Sequence, residues 1–307
     1  MEQEITQTPT IDASRLANPM TRTVLFLMVG AAIGGIIGMV VEFFAFLFGM
    51  TATPLAIIFL TMLPLAFAIM AIQLLWVFLG LPVWTYVGGK FFANRVGGQS
   101  GKAAKDLKIT FLPEGHPIYD KVQAMAQSMG LPPVRHVGHF EDHSINAFAC
   151  GQSRDNAMIA FTRGCIEKTT GDQFEAILAH ELGHIASNDM QRMTYAYGVR
   201  DALTFFLVFR KLKMLALKLF TFVSEMEIMR FSRQREFYAD AIGASLTSPQ
   251  AMIGALEAIK ADDGKPRHAL AAYENLMFNG LLRSHPPLDK RIEAIRNATY
   301  IKQLPHK

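Results

Sequence analysis

The chain has 307 residues, 51% of them hydrophobic and 18% charged, and its mean hydropathy is +0.22. These values are high for a soluble protein and predict that part of the chain lies in a lipid bilayer. The net charge of +4 is mild, and no basic run alternates with aromatic residues, so the composition argues against nucleic-acid binding. The two cysteines are too few for a disulfide framework and are predicted to be packing residues in a reducing compartment.

The N-terminal third of the chain predicts a membrane anchor. Residues 1–21 are polar and are expected to form a cytoplasmic tail, without the features of a signal peptide. Two uncharged runs separated by Glu42 then predict a transmembrane hairpin over residues 22–86, with spans at about 22–47 and 55–80. Lys and Arg flank the hairpin but are absent from its turn, so both ends are expected to be cytoplasmic.

A globular domain is predicted at residues 107–307. The glycine-rich stretch at 87–106 is interpreted as a flexible tether that leads into it. A helix is expected over Pro117–Met129, with proline in its first turn and a Gly-Leu-Pro-Pro stop after it. Three short runs bounded by turn residues then predict a small antiparallel sheet: Val134–Val137, Ser144–Cys150 and Ala157–Thr162.

The motif His-Glu-Leu-Gly-His occupies residues 180–184, inside an apolar run with helical spacing. On a helix, His180 and His184 share a face and can bind one zinc ion, while Glu181 can take a proton from zinc-bound water. Thr170–Gln173 is a predicted capping box, which places the motif in the middle of a helix. Metal-free buried histidines are the alternative, but they leave polar groups unsatisfied on an apolar face. The motif therefore predicts a metallopeptidase.

Residues 202–223 combine a long apolar stretch with four cations that share one stripe of a helical wheel: Arg210, Lys211, Lys213 and Lys218. This pattern predicts an amphipathic helix in the membrane interface, with the cations among the lipid headgroups. A re-entrant hairpin and a solvated helix packed on the protein are the alternatives.

Four ordered motifs follow the two hydrophobic spans: Asn146-Ala147-Phe148-Ala149, the motif at 180–184, Ser232 to Asp240, and Ser284 to Arg291. Together they resemble the HtpX-type membrane zinc metallopeptidases, bacterial quality-control proteases related to the eukaryotic prenyl-protein endopeptidases. The resemblance implies an α+β, mostly helical fold with a zincin-like metallopeptidase domain. It also implies an anchor in the inner membrane, with the catalytic domain facing the cytoplasm.

The resemblance implies further site residues. Glu236 is the implied third ligand of one zinc ion per chain, and its spacing from Asp240 puts both carboxylates on one helical face. Two His and one Glu leave the fourth zinc position open for water, as in catalytic sites. Asp240 is expected to accept a hydrogen bond from a ligand histidine, unless it is a solvated carboxylate paired with an Arg. His285, otherwise a surface-loop histidine, is the candidate for oxyanion binding, with Arg291 supporting it.

The strand Asn146–Ala149 resembles the edge strand beside the zinc in this family. A substrate that adds there in extended form is bound through main-chain hydrogen bonds, which favours unfolded protein segments. The predicted function is hydrolysis of misfolded or membrane proteins by a zinc endopeptidase. A membrane scaffold or chaperone-like protein with a structural zinc site is the alternative, and Glu181 argues against it, because a structural site needs no base. A prenyl-peptide protease would require many more spans.

Overall fold

A computed structural model of the chain describes residues 13–16, 20–51, 67–68, 71–94, 101–207, 234–262 and 286–304. The chain divides into two compact units. The first, called here the sheet unit, comprises Met1–Pro19, Ala93–Thr194 and Ile228–Lys307. The second, called the helical unit, comprises Met20–Phe92 and Tyr195–Glu227.

The described helices, in chain order, are α1 (Met20–Thr51), α2 (Leu81–Ala93), α3 (Lys102–Asp106), α4 (Pro117–Ser128), α5 (Arg163–Lys168), α6 (Gly171–Ala186), α7 (Asp189–Leu207), α8 (residues 234–246), α9 (Pro249–Ala261) and α10 (Leu288–Arg296). The strands are β1 (Thr110–Phe111), β2 (His136–Phe140), β3 (Ala147–Gly151) and β4 (Ala157–Thr162). Residues 71–75 are also helical, and they continue through a π-helical turn at Trp76–Gly80 into α2.

Among its described residues, the helical unit contains two stretches that are long and apolar enough to cross a membrane, Met20–Val40 and Ala71–Ala93. Only 28% and 22% of their most apolar windows are buried inside the protein, so they do not resemble the core helices of a soluble domain. The first helix approaches the second at Gly35, where an added Cβ would lie 3.0 Å from Val77 Cγ2. A small residue thus lets the two helices pack closely.

The helix that contains the predicted second span extends beyond its predicted end at residue 80 and continues through the π-helical turn to Ala93. Among the described residues, the candidate span is Ala71–Ala93. Residues 52–66, where the predicted span begins, lie outside the described residues. The predicted amphipathic segment at 202–223 is described only up to Leu207, where it is helical, so its membrane placement stays a prediction.

Residues 87–93 are not the start of a flexible tether, which corrects the prediction from their glycine content. Gly88 and Gly89 lie within α2, against the later half of α7. A Cβ on Gly89 would lie 2.6 Å from Val199 Cγ2, and one on Gly88 would lie 2.9 Å from Ala202 Cβ. The missing side chains therefore allow close helix packing, and Trp84 adds a hydrogen bond from Nε1 to the Ala202 carbonyl at 3.0 Å.

The sheet unit is built on a four-stranded sheet with the order β1-β2-β4-β3. The predicted antiparallel sheet is wrong in part, because β2 and β4 are parallel while the other two pairs are antiparallel. The reason is that β3 and β4 form a hairpin whose second strand, not its first, lies beside β2. This leaves β3 at the edge of the described sheet.

Helix boundaries in the sheet unit follow the predicted local signals. The capping box of α6 is confirmed, with Thr170 accepting from the Gln173 N–H and the Gln173 side chain accepting from the Thr170 N–H. Helix α4 begins at Pro117 and ends before Gly130, whose φ of +71° suits glycine. The capping box fixes where α6 begins, and so which of its residues lie at its centre.

The core of the sheet unit lies between the sheet and helices α4, α6 and α9. All six residues of β4 are buried, and Phe161 packs on Phe174 of α6 with ring centroids 4.9 Å apart. Met252 and Leu256 of α9 are also fully buried against this cluster. Each such side chain contributes about 1.5–3 kcal/mol by leaving water, so the core fixes α6 firmly on the sheet.

The reactivity of the two cysteines tests how well the sheet unit excludes solvent. Cys150 and Cys165 are both buried and free, and burial raises the pKa of each thiol to about 12. Because only the thiolate reacts, we expect alkylation of the folded protein to be at least ~10³-fold slower than that of the denatured protein. A maleimide time course in detergent measures this. Ser128→Cys, at an exposed position, is the positive control, and rapid labelling of either native thiol contradicts the prediction.

Candidate metal centre

Three side chains from two helices converge in the sheet unit. Helix α6 contributes His180 and His184, and α8 contributes Glu236. The two imidazole Nε2 atoms lie 3.1 Å apart, and Glu236 oxygens lie 3.6 Å from His180 Nε2 and 3.5 Å from His184 Nε2. One ligand atom from each residue lies within 4.8 Å of the others, so the group could hold one metal ion.

The convergence depends on a close approach of α6 and α8. Gly183 lies between the two histidines in sequence, and a Cβ on it would lie 3.3 Å from both Ala239 Cα and Ile242 Cδ1. Ala239 and Ile242 are themselves buried. Small side chains on both helices therefore let their backbones come near enough for a short carboxylate side chain to reach the imidazoles.

The donor set fits a zinc ion. Two imidazole nitrogens and a carboxylate oxygen are ligands that zinc accepts, and three such ligands leave a position open for water. The exposures of His180, His184 and Glu236 are 7%, 9% and 0%. When both Nε2 atoms are unprotonated, as metal ligands must be, their lone pairs repel at 3.1 Å, and a shared cation beside the buried carboxylate relieves that repulsion.

Charged side chains that are not themselves candidate ligands lie next to His180. His180 Nδ1 lies 2.9 Å from Asp240 Oδ1, although the two are not aligned as a linear hydrogen bond. Arg291 of α10 donates from Nε and Nη2 to the two oxygens of Asp240 at 2.7 and 2.6 Å. Its Nη1 lies 3.3 Å from Glu236 Oε2. The guanidinium of Arg291 is therefore bound to the carboxylates of α8.

These contacts set the protonation of the pair. Burial acts to lower the pKa of His180, but the close carboxylate of Asp240 and the charge of Glu236 outweigh it and raise the pKa above its ordinary value. Burial acts to raise the pKa of Asp240, but Arg291 and His180 outweigh it and lower that pKa. An ionised Asp240 beside Nδ1 favours a proton on that nitrogen, so the Nε2 lone pair faces the metal position.

The remaining predicted residues lie on neighbouring elements. Glu181 is buried in the middle of α6, with 7% of its surface exposed. Ala147, Phe148 and Ala149 belong to the edge strand β3, which packs against α6, and Asn146 directly precedes it. His285 lies outside the described residues, so its role in oxyanion binding stays a prediction.

Three charged residues near the site were not anticipated from the sequence. Asp189 begins α7, Arg192 lies one turn further on, and Arg235 directly precedes Glu236. All three side chains are about nine-tenths buried or more. The available signal is their position, because each lies within a few residues of a ligand or of another member of this group.

Comparison with known proteins identifies the family. A family model described as Peptidase family M48 matches residues 115–299. The chain is 34% identical over 206 residues to the Protease HtpX of Pseudomonas putida, covering 57% of this chain and 69% of that protein. It is 28% identical over 304 residues to the Protease HtpX of Haemophilus ducreyi, covering 90% and 99%. The chain therefore belongs to peptidase family M48, which confirms the resemblance inferred from its motifs.

A solved structure is also similar to part of the chain. The crystal structure of S. mikatae Ste24p matches with 18% sequence identity and a TM-score of 0.46, covering 69% of this chain. The chain covers 58% of Ste24p, which is less than two thirds of its length. A likeness of this extent carries no argument about activity.

The geometry predicts that Glu236 is as necessary for metal binding as the histidines. Glu236→Ala should weaken zinc binding by more than ~100-fold, because even the loss of an outer partner of a ligand typically costs ~10–100-fold. Zinc competition with a chelator measures this on the detergent-purified protein. The control is Glu257→Ala, which removes an exposed carboxylate paired with Arg296. Wild-type zinc affinity in Glu236→Ala would exclude Glu236 as a ligand.

Proposed function

We propose that the protein is a membrane-anchored zinc endopeptidase that hydrolyses misfolded or membrane proteins on the cytoplasmic side, with one zinc ion per chain. The observation that carries the proposal is the convergence of His180, His184 and Glu236 in a buried site. Membership of peptidase family M48 and the two candidate spans support it. A His-His-Glu set is typical of catalytic zinc rather than structural zinc.

When bound, zinc would supply a Lewis acid that lowers the pKa of a water molecule and polarises a carbonyl group. Glu181 is the proposed general base, because it follows the first ligand on the same helix and points about 100° away around the axis. It accepts a proton from the attacking water and returns it to the leaving nitrogen. Its low exposure keeps bulk water from competing for that proton.

The proposed roles of the other site residues differ in their support. Asp240 is proposed to hold His180 in the tautomer that presents Nε2, as its 2.9 Å contact with Nδ1 supports. His285 is proposed as the oxyanion partner by the family resemblance. Arg291 is proposed to act mainly by holding Asp240 and Glu236, because its three contacts to them leave its guanidinium bound to carboxylates. Any contribution of Arg291 to binding the oxyanion would therefore be indirect.

Substrate is proposed to bind along β3. This strand pairs with β4 along one side, so an extended segment of substrate would add along its other side through main-chain hydrogen bonds. The start of the strand is anchored, because the Asn146 N–H donates to Thr162 Oγ1 at 3.0 Å. Recognition through the main chain tolerates many sequences but requires an unfolded segment, which suits a protease of misfolded proteins.

Glu181→Gln separates the chemistry from metal binding. The variant keeps the size of the side chain but removes the base. It should therefore retain zinc, and its rate of casein cleavage should fall by about 10²–10⁴-fold. Initial rates and zinc content are measured on the same detergent preparation. Glu175→Gln is the matched control, because Glu175 lies on the same helix but forms an exposed ion pair with Lys121. Near wild-type cleavage by Glu181→Gln would exclude this mechanism. Zinc without cleavage in the wild type would favour the scaffold alternative.

The membrane orientation can be tested independently of activity. Because Lys and Arg flank the hairpin on both outer sides, reporters fused after Lys102 or at the C-terminus should both report a cytoplasmic location. Paired alkaline phosphatase and fluorescent protein fusions measure this, with a fusion in the turn predicted from the sequence after Thr51 as the opposite-side control. A periplasmic signal after Lys102 would contradict the two-span anchor. A periplasmic signal at the C-terminus alone would show that residues 202–223 cross the bilayer.

A further inference from the structure

Asp189 is a buried carboxylate beside the second histidine. Its residue is 4% exposed, and its Oδ2 lies 3.8 Å from His184 Nδ1. Two guanidinium groups surround it, with Arg235 Nε 3.8 Å from Oδ2 and Arg192 Nη1 3.8 Å from Oδ1. Because an isolated buried carboxylate is strongly unfavourable, these three neighbours explain how this position can hold a charge.

The turn between α6 and α7 places this carboxylate. Helix α6 ends at Ala186, and Asn188 then adopts a left-handed conformation with φ of +62°, which asparagine tolerates better than most residues. The chain changes direction at this residue, and Asp189 at the start of α7 lies beside His184. The positive end of the α7 dipole further favours a carboxylate there.

The same types of residue surround the two histidines, with shorter contacts at His180 than at His184. On one side, Arg291 binds Asp240, which contacts His180 Nδ1, and Arg291 also lies 3.3 Å from Glu236 Oε2. On the other side, an arginine, a carboxylate and a histidine form the same series in the order Arg235, Asp189, His184. Arg235 Nη2 lies 3.6 Å from Glu236 Oε1. Each arginine therefore links one oxygen of Glu236 to the carboxylate that faces one histidine.

The Nδ1 atom of His184 needs such a partner. It is buried and has no hydrogen bond among the described residues, whereas a metal-ligating histidine almost always donates its other ring N–H to an acceptor. Within the described part of the chain, Asp189 is the carboxylate that lies within 4 Å of this nitrogen. At 3.8 Å the contact is electrostatic, and a closure of about 1 Å would make it a hydrogen bond.

We propose that Asp189 is a positioning residue for His184: it accepts the Nδ1 proton and so presents Nε2 to the metal, while Arg235 and Arg192 hold the carboxylate. The inference rests on the proposed function, because it assigns a role in the same zinc site. It gives each histidine ligand its own carboxylate, Asp240 for His180 and Asp189 for His184. It also makes the left-handed residue Asn188 part of the site's assembly.

The test measures zinc affinity in the full-length protein in detergent, by competition with a chelator. Asp189→Ala should bind zinc about 10–100-fold more weakly than the wild type, and Asp189→Asn, which keeps an acceptor but not the charge, should fall between them. The matched control is Asp172→Asn, which removes an exposed first-turn carboxylate from α6 itself and should leave zinc affinity unchanged. A purely structural role for Asp189 would lower the melting temperature but not the zinc affinity of the folded protein.

The outcomes separate this inference from the proposed function. A wild-type protein that binds no zinc would overturn the proposed function, and this inference with it. Wild-type zinc binding that is unchanged in Asp189→Ala would overturn the inference alone. If that variant does not fold, ¹⁵N-histidine NMR on metal-free wild-type protein decides, with His184 assigned from His184→Gln. A proton on Nδ1 supports the proposal, and a proton on Nε2 overturns it.

Discussion

The constraint on which the site depends is the complete burial of the Glu236 carboxylate between two helices. A charged group at this depth costs several kcal/mol in lost hydration, and only close opposite charges or a metal offset that cost. The structure meets the requirement on each side, with Arg291 near one oxygen and Arg235 near the other. Two features of the fold stabilise this one carboxylate. Helices α6 and α8 approach closely at Gly183, and α10 places Arg291 beside Glu236.

The rest of the sheet unit makes that arrangement rigid. Helix α6 is fixed at its start by the capping box and along its length by the sheet, through contacts such as Phe161 with Phe174. Its histidines therefore have little freedom before any metal binds, which is the condition for a tight and specific site. The same packing places β3 beside α6, so a substrate strand added to this edge would be carried near the ligands without a separate binding domain.

The sequence predicts those features that depend on neighbours along the chain. The capping box, the proline start of α4 and the strand Ala157–Thr162 are local signals, and the structure agrees with them. The sheet is mixed because strand order is a long-range property, and alternation within a strand contains no information about its partner. Gly88 and Gly89 show the same limit, since glycines that permit close packing and glycines that permit flexibility are identical in a sequence. The uncharged run before them exceeds one span, so composition cannot locate the helix inside it.

The residues of the site also differ in how far the sequence alone predicts them. His180 and His184 are related by helical periodicity, whereas Glu236 is far away in sequence and was reached through a resemblance. Asp189 belongs to neither class, because it is close in sequence to His184 but is brought back to it by a left-handed turn that no periodicity describes. Charged residues that flank a metal motif within apolar sequence are therefore informative in their own right. They cannot all reach water from a buried helix, so the ligands and their counter-charges are the groups with which they can pair.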